Sequence, residues 1–216
     1  MAGGAAGPGP DSFEPDLAAW DAWRPEEAAR RLVGVRAPWY FAAGWAIDLF
    51  VNQVTRPHSD VEIGLFREHQ GALRAQLAGW RLTKSDFLRP EGAAWVPWNE
   101  DDWVAAPLFQ VQAWGPEDEE PTYDFFLNDT VDGAWQFRRE PSITRPVEEI
   151  MLRTPGGIPF LAPEIQLAFK GKYRRPKDEH DFTIALPHLS ATQRAWLTMA
   201  LKAAYGKHAW IERLET

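Results

Sequence analysis

The fold is decided by residues 43–63, which read AGWAIDLFVNQVTRPHSDVEI. From residue 60 to residue 65, apolar side chains alternate with polar or small ones, the period of a β-strand. Asp60 and Glu62 therefore point to one face, about 6.5–7 Å apart along the backbone. Two facing carboxylates repel each other unless a cation lies between them. Oxygen ligands of this kind suit Mg²⁺, which also binds substrate phosphates.

A third carboxylate occurs at Asp124, the sole charge in the apolar segment YDFFL at 123–127. A charge in such a strand is costly unless it is paired or bound to metal. On a neighbouring strand it would complete a site for two metal ions about 3.5–4 Å apart. Taken alone, Asp60 and Glu62 are also typical of a solvated strand face. The prediction therefore rests on the three residues together.

Composition excludes several classes of protein. The chain has 216 residues, enough for one large domain or two small ones. Its 31 acidic residues exceed its 23 basic ones, and the net charge of -8 disfavours a protein that wraps nucleic acid. The absence of cysteine removes disulfide scaffolds, Cys-ligated zinc, iron–sulfur clusters and thiol nucleophiles.

The N-terminal residues MAGGAAGPGP have neither the basic start nor the apolar core of a signal peptide. No apolar run reaches the roughly 18 residues of a membrane span. We therefore expect a soluble, cytoplasmic protein. Residues 1–12 are rich in Gly, Ala and Pro, which predicts a disordered tail.

The predicted secondary structure changes near Pro163: strands and helices alternate before it, and only helices follow it. Pro176 and Pro187 separate the later helices, as helix-terminating prolines do. The pattern predicts an α/β (α+β) domain at 13–160 and a helical C-terminal domain at 161–216.

Five cations lie within eight residues of this otherwise acidic chain: Lys170, Lys172, Arg174, Arg175 and Lys177. They fit either a triphosphate site or a solvated helix face, and Asp178 and Asp181 can neutralise them. Arg56 fits either a bidentate phosphate contact or an ion pair with Asp48 or Asp60. His58 is a poorer candidate for a metal ligand, since hard cations prefer oxygen.

Residues 39–67 resemble the nucleotidyltransferase superfamily, most closely its aminoglycoside 2''-adenylyltransferase-like branch, which is itself similar to the lincosamide nucleotidyltransferases. That branch typically reads GGWAxD and then TRxHxDxD followed by an apolar residue. The segments PEIQLAFKGK at 163–172 and KDEHDF at 177–182 resemble its helical half. Ala43 stands where the family has its first Gly, and Glu62 where it has its second Asp.

The resemblance implies a small mixed sheet flanked by helices, with the active site in a cleft beside the helical domain. It implies Mg²⁺-dependent transfer of a nucleoside monophosphate from ATP or another NTP to a hydroxyl of a small molecule, such as an aminoglycoside-like antibiotic. Asp60 and Glu62 would hold Mg²⁺, and Asp124 would be the third ligand or the base that takes the hydroxyl proton.

The same resemblance assigns the donor contacts. Gly44 would let the backbone approach the phosphates, and the helix starting at Trp45 would point its positive end at them. Arg56 and Lys170 would contact the triphosphate. The expected partners are the NTP and the acceptor, with no nucleic acid or membrane.

Two alternatives remain open from the sequence: a protein-nucleotidylating enzyme of the toxin–antitoxin kind, and a degenerate member that binds a nucleotide or a partner without chemistry. The acidic segments 100–102 and 117–120 fit either solvated loops or a cleft border that attracts a cationic aminoglycoside.

Overall fold

The computed structural model describes residues 25–116 and 123–216. The predicted tail at 1–12 and the acidic segment 117–120 lie outside the described residues. No helix in the described ranges is long and apolar enough to cross a membrane.

The first half of the chain alternates helices with strands. These are helix α1 (Pro25–Leu32), strand β1 (Trp39–Phe41), helix α2 (Ala43–Val51), strand β2 (Glu62–Phe66), a 3-10 helix (Arg67–His69), helix α3 (Gln70–Gln76), and strands β3 (Arg81–Asp86), β4 (Ala94–Pro97), β5 (Gln110–Trp114) and β6 (Tyr123–Asn128).

The second half begins with short strands and ends in helices. It contains strands β7 (Thr130–Val131), β8 (Ala134–Gln136) and β9 (Thr144–Pro146), a 3-10 helix (Val147–Glu149), strands β10 (Met151–Arg153) and β11 (Pro159–Leu161), helices α4 (Pro163–Lys170) and α5 (Pro176–Ala185), a 3-10 helix (Leu186–His188), and helices α6 (Ala191–Tyr205) and α7 (Trp210–Glu215).

The main sheet has eight strands in the order β10-β11-β1-β2-β6-β5-β3-β4, and β7, β8 and β9 form a separate three-stranded sheet. β2 and β6 are parallel neighbours near the centre, with Glu62 paired in register with Asp124. β11 runs parallel to β1 and antiparallel to β10, so the strand before α4 is built into the main sheet. This pairing ties the start of the C-terminal helices to the strands that carry the carboxylates.

Local sequence explains where the C-terminal helices begin. Pro163 and Pro176 occupy the first turns of α4 and α5, where a missing N–H costs nothing. Ser190 caps α6 in a capping box with Gln193. α4 is buried along most of its length, against α2, α5 and α6. The predicted fold class, a mixed sheet flanked by helices, is confirmed.

One detail of the strand prediction is wrong. β2 begins at Glu62, and Asp60 lies in the bend before it. The spacing rule for strand residues therefore does not place Asp60, whose position depends on the loop that starts near Thr55. Pro57 and Ser59 in that loop favour a bend.

Candidate active site

The three predicted carboxylates line one cleft. It has a volume of about 390 Å³, and its lining includes Asp60, Glu62 and Asp124 together with residues of α4 and of the loop before α5. Glu62 and Asp124 face it from neighbouring parallel strands, whose backbones lie about 4.8 Å apart. The three carboxylates that the sequence singled out thus share a common site.

Two of these carboxylates have raised pKa values. Burial, followed by repulsion from Asp60, raises the pKa of Glu62 to about 7, against the opposing charge of Lys170. Burial also raises the pKa of Asp124 to about 6, against hydrogen bonds from Gln112 and Gln110 that lower it and with repulsion from Asp60 that adds to it. A site that concentrates negative charge in this way favours a bound cation.

Two observations bear on whether a metal fits here. The Oδ1 atom of Asp124 is buried without a hydrogen-bond partner, so an oxygen ligand is free inside the cleft. Within residues 25–116 and 123–216, however, no three His, Asp or Glu side chains already stand in metal-binding geometry. The fit to Mg²⁺ therefore rests on the charge and oxygen chemistry of the three carboxylates.

Asp181 organises the basic wall of the cleft. Its carboxylate accepts two hydrogen bonds from Arg56, at 2.8 and 3.0 Å, and its Oδ2 lies 2.7 Å from the ammonium of Lys170. Lys170 also lies 3.5 Å from Asp178, and the side chains of Lys170, Asp178 and Asp181 are almost fully buried. Both Arg56 and Lys170 line the cleft, but their charges are already paired.

Arg175 and Lys177 complete that wall. Arg175 is bound to Asp178 at 2.9 Å, whereas Lys177 is exposed at the cleft. Lys177 also acts on Glu62, whose pKa it lowers. Of the five clustered cations, Asp178 and Asp181 thus neutralise Lys170 and Arg175, while Arg174 pairs with Glu179. Lys177 is therefore the cation of this wall that is best placed to contact phosphate.

Gly44 and Trp45 lie behind the cleft wall and not on it. A Cβ on Gly44 would come 2.2 Å from Nη2 of Arg56 and 2.5 Å from the ring of His58. The glycine thus makes room for these side chains. Trp45 is buried and stacks on His58 at 4.1 Å between ring centroids, and His58 in turn hydrogen-bonds Asp48. His58 is held by this contact at the back of the site.

Ala43 opens α2 with a backbone angle φ of 51°, in the left-handed region that favours glycine. Its N–H donates to Oε1 of Gln166 at 2.7 Å, and both residues line the cleft. The first amide of α2 is therefore occupied by a side chain of α4. This bond, which no local pattern indicates, joins the two halves of the site.

A second basic part of the cleft lining was not predicted from the sequence. Arg138 and Arg139, in the turn after β8, line the cleft together with Tyr40 and several aromatic residues. The signal that could have found it was the arginine doublet that follows the apolar Phe137. The acidic residues 100–102 do not line the cleft, and Asp102 instead pairs with Lys84 on β3 at 3.3 Å.

No protein-family model and no curated protein sequence matches this chain. Among solved structures it is similar to ANT(2'')-Ia in complex with adenylyl-2''-tobramycin, with 16% identity, a TM-score of 0.52, and coverage of 81% of this chain and 93% of that one. It is also similar to the solution structure of the antibiotic-resistance factor ANT(2'')-Ia, with 17% identity, a TM-score of 0.53, and coverage of 86% and 91%.

The lincosamide antibiotic adenylyltransferase LnuA, bound to lincomycin, also matches, with 17% identity, a TM-score of 0.48, and coverage of 73% and 90%. The first two neighbours are aminoglycoside 2''-adenylyltransferases, the branch that residues 39–67 resemble. At 16–17% identity, the structural similarity establishes the fold of this chain. The predicted resemblance is therefore confirmed for the fold.

Proposed function

We propose that this chain is a nucleotidyltransferase that moves a nucleoside monophosphate from an NTP to a hydroxyl of a small molecule. The observation that carries the proposal is the meeting of Asp60, Glu62 and Asp124 in one cleft beside a basic wall. Such a site has separate places for a cation and for an anionic triphosphate. Phosphoryl transfer depends mainly on positioning and on charge stabilisation, which this arrangement supplies.

Asp60 and Glu62 would hold Mg²⁺, which when bound would neutralise the phosphates and polarise the phosphorus centre. Lys177 would contact the triphosphate from the basic wall. Arg56 and Lys170 position that wall through Asp181, and Asp181 keeps their charges compensated before substrate arrives. The NTP would bind as the donor, ATP being the one that the resemblance implies.

Asp124 would accept the proton of the attacking hydroxyl. Its free Oδ1 lies inside the cleft, on the strand next to Glu62. A general base must lie within hydrogen-bond reach of the proton that it removes. Gln112 and Gln110 hydrogen-bond the Asp124 carboxylate, while its Oδ1 has no partner among the described residues. The second role compatible with this position is that of a third metal ligand.

One structural neighbour, ANT(2'')-Ia, is bound to an adenylylated aminoglycoside, which supports a small hydroxyl compound as the acceptor. An aminoglycoside-like antibiotic is the class that the sequence resemblance implies. Protein nucleotidylation remains a second candidate, while the three carboxylates in one cleft disfavour a module without chemistry.

The donor half of the proposal is tested by thermal unfolding with ATP and Mg²⁺, separately and together. We expect a clear rise in Tm only with both, because binding to the native state stabilises it by mass action. Asp60→Asn should abolish the joint effect, while Asp101→Asn, at a position outside the cleft, should preserve it. A joint effect that survives Asp60→Asn would contradict the assignment.

The role of Asp124 is tested by separating binding from turnover. Asp124→Asn should stop transfer to an acceptor panel, measured by the mass of nucleotidyl adducts, yet leave ATP affinity within about threefold, a free-energy change below about 1 kcal/mol. Equal loss of ATP binding and transfer would make Asp124 a metal ligand instead of the base.

A further inference from the structure

The part of the cleft lining that includes Arg138 and Arg139 is cationic and aromatic. The guanidinium carbon of Arg138 lies 3.9 Å from the ring centroid of Phe109 and 4.7 Å from that of Phe169. Its neighbour Arg139 lies 5.9 Å from the ring of Tyr173. Rings on the faces of a guanidinium leave its N–H edges as the groups that can bind an anion.

These arginines lack carboxylate partners that would neutralise their charge. The Nε atoms of Arg138 and Arg139 are both buried without an acceptor, and neither guanidinium forms an ion pair within the described residues. The nearby carboxylate of Asp129 is already bound to Arg67. Burial and the adjacent charge of Arg139 lower the pKa of Arg138 to about 10. An anion between the two side chains would relieve this repulsion.

Tyr40 adds a buried hydroxyl to the two unpartnered Nε atoms. The residue is only 1% exposed and lines the cleft, and its hydroxyl has no hydrogen-bond partner. Its ring lies against Gly64, where a Cβ would come 2.1 Å from Cε2 of Tyr40. Gly64 thus admits the ring to the cleft. A buried hydroxyl with no partner is a rare and costly feature that a ligand would satisfy.

The subsite is held in place by packing. Arg138 and Arg139 occupy the turn between β8 and β9, where Phe137 donates its N–H to Ile143 at 2.9 Å. Phe137 is fully buried and contacts Phe169 of α4 at 4.8 Å between ring centroids. The turn that presents both arginines is therefore anchored to the helical half of the molecule.

The main charge effects on Glu62 and on Arg138 come from different groups. Those on Glu62 come from Asp60, Lys170, Asp124 and Lys177, whereas those on Arg138 come from Arg139, Tyr40, Tyr205 and Asp129. The two parts of the lining meet at Tyr173, whose ring centroid is 5.9 Å from the guanidinium carbons of both Arg139 and Arg175. The triphosphate has its own cation at Lys177 and its own carboxylates for Mg²⁺. Arg138 and Arg139 are left for the second substrate.

We propose that Arg138, Arg139 and Tyr40 form an acceptor subsite that binds an anionic group, carboxylate or phosphate, on a small hydroxyl compound with a planar or apolar body lying against Phe109 and Phe169. This inference rests on the proposed function, since it names the acceptor class of the same cleft. It departs from the aminoglycoside expectation, because a polycation would be repelled by two guanidinium groups that no carboxylate neutralises.

The test is direct binding of small probes by calorimetry, without metal or nucleotide. The probes are para-(hydroxymethyl)benzoate, its neutral analogue para-(hydroxymethyl)benzamide, phenyl phosphate, and tobramycin. We expect the benzoate to bind at least about tenfold more tightly than the benzamide, and tobramycin not to compete with it. Tighter binding of phenyl phosphate than of the benzoate would identify the anionic group as phosphate, and the reverse as carboxylate.

Variants locate the subsite. Arg138→Gln and Arg139→Gln should each remove the preference for the acid, and Tyr40→Phe should weaken it by about threefold to tenfold through loss of one hydroxyl hydrogen bond. Arg89→Gln, at an exposed arginine outside the cleft, is the matched control and should change nothing. Thermal unfolding shows that each variant is folded. Tyr40→Phe, which keeps the ring, tests the subsite even if an arginine variant unfolds.

Affinity for ATP with Mg²⁺ is measured on the same variants and should stay within about twofold of the parent. Loss of ATP affinity in parallel with loss of the acid would assign the arginines to the donor and overturn the proposal. Equal affinity for the acid and the amide, or no saturable binding of either anionic probe below about 10 mM, would also overturn it. If the acid binds while ATP does not, the proposed transferase activity fails and the anion subsite stands.

Discussion

At the scale of single residues, the structure favours a small residue at positions 43 and 44 for two different reasons. Ala43 adopts a left-handed backbone conformation, and Gly44 leaves space for Arg56 and His58. The sequence resemblance placed Gly44 near the phosphates and noted Ala43 as a departure from the family's first glycine. These structural requirements could not be predicted from local sequence. The one at Ala43 involves Gln166 of α4, and the one at Gly44 involves Arg56 and His58 of the loop that precedes β2.

Ala43→Gly should leave the free energy of unfolding unchanged or raise it by up to about 1 kcal/mol. An L-residue in the left-handed region costs about 1–2 kcal/mol, which glycine avoids, and the greater entropy of unfolded glycine offsets about 0.5–1 kcal/mol of this gain. Ala46→Gly, at a fully buried and regular position of α2, is the control.

The control should lose about 1–2 kcal/mol through lower helix propensity and a lost methyl group. Urea denaturation of both variants measures the difference. If both glycines destabilise the protein equally, the backbone at residue 43 carries no strain.

Gly44→Ala should destabilise the protein by about 1–3 kcal/mol, because the added Cβ forces neighbouring groups to move. Arg56 can swing away only by leaving Asp181, and the ring of His58 is fixed between Trp45 and Asp48. Gly71→Ala in α3 is the matched control, since a Cβ there has nothing within 4 Å.

Gly71→Ala should instead be neutral or stabilising by up to about 1 kcal/mol, as expected for alanine replacing glycine in a helix. Denaturant unfolding of the two variants is the measurement. Equal destabilisation by both would show that the space around Gly44 is not what requires a glycine.

At the scale of elements, the alternation in residues 60–65 and the apolar 123–127 identified β2 and β6, with their carboxylates on neighbouring strands. The cations at 170–177 were found as a cluster. Asp178 and Asp181 on α5 pair with Lys170 and Arg175, and they follow so closely in sequence that this neutralisation was predictable. The long-range bond between Arg56 and Asp181 was not, since nothing local links a loop before β2 to α5.

Asp181→Asn should cost about 3 kcal/mol at pH 7, because it leaves Arg56 and Lys170 buried with their charges uncompensated. Burial alone would raise the pKa of Asp181, but its hydrogen bond from Arg56 and the charge of Lys170 hold that pKa below its ordinary value of 3.8. The stability from this carboxylate is therefore present above pH 3.8 and is lost as the pH falls through its lowered native pKa.

The Asn variant should accordingly lose less stability on acidification below about pH 4 than the parent does. Denaturant unfolding at several pH values measures both effects, with Asp101→Asn, outside the cleft, as control. An Asn variant that is as stable as the parent at pH 7 would show that α5 is not held to the cleft by this contact.

At the scale of the whole molecule, the cleft collects side chains from distant parts of the chain: Tyr40 from β1, Gln110 from β5, Arg138 from the turn after β8, and Phe169 from α4. A sequence motif can reveal residues 43–63 because they act as one local unit. The proposed acceptor subsite has no such unit, since its members become neighbours only when the turn after β8 packs on α4 through Phe137. That subsite is where sequence reasoning failed.

The net charge of the molecule is negative, whereas the part of the cleft proposed to bind the donor triphosphate is lined by cations. The chain carries a net charge of -8, which by itself would repel ATP. The basic wall presents Lys177 at the cleft and keeps Arg56 and Lys170 nearby. Within a cleft, nearby charges dominate over distant ones, because salt screens interactions beyond about 10 Å at about 0.1 M.

The affinity for ATP with Mg²⁺ should therefore fall as the salt concentration rises. If the net charge governed binding, screening would remove a repulsion and the affinity would rise instead, so the sign of the salt dependence distinguishes the two cases. Lys177→Gln should reduce the slope of log Kd against log salt concentration, whereas Lys207→Gln, an exposed lysine outside the cleft, should not. Calorimetric titrations at constant Mg²⁺ and varied NaCl measure both slopes. An affinity that increases with salt, or equal slopes in the two variants, would show that the wall around Lys177 does not hold the triphosphate.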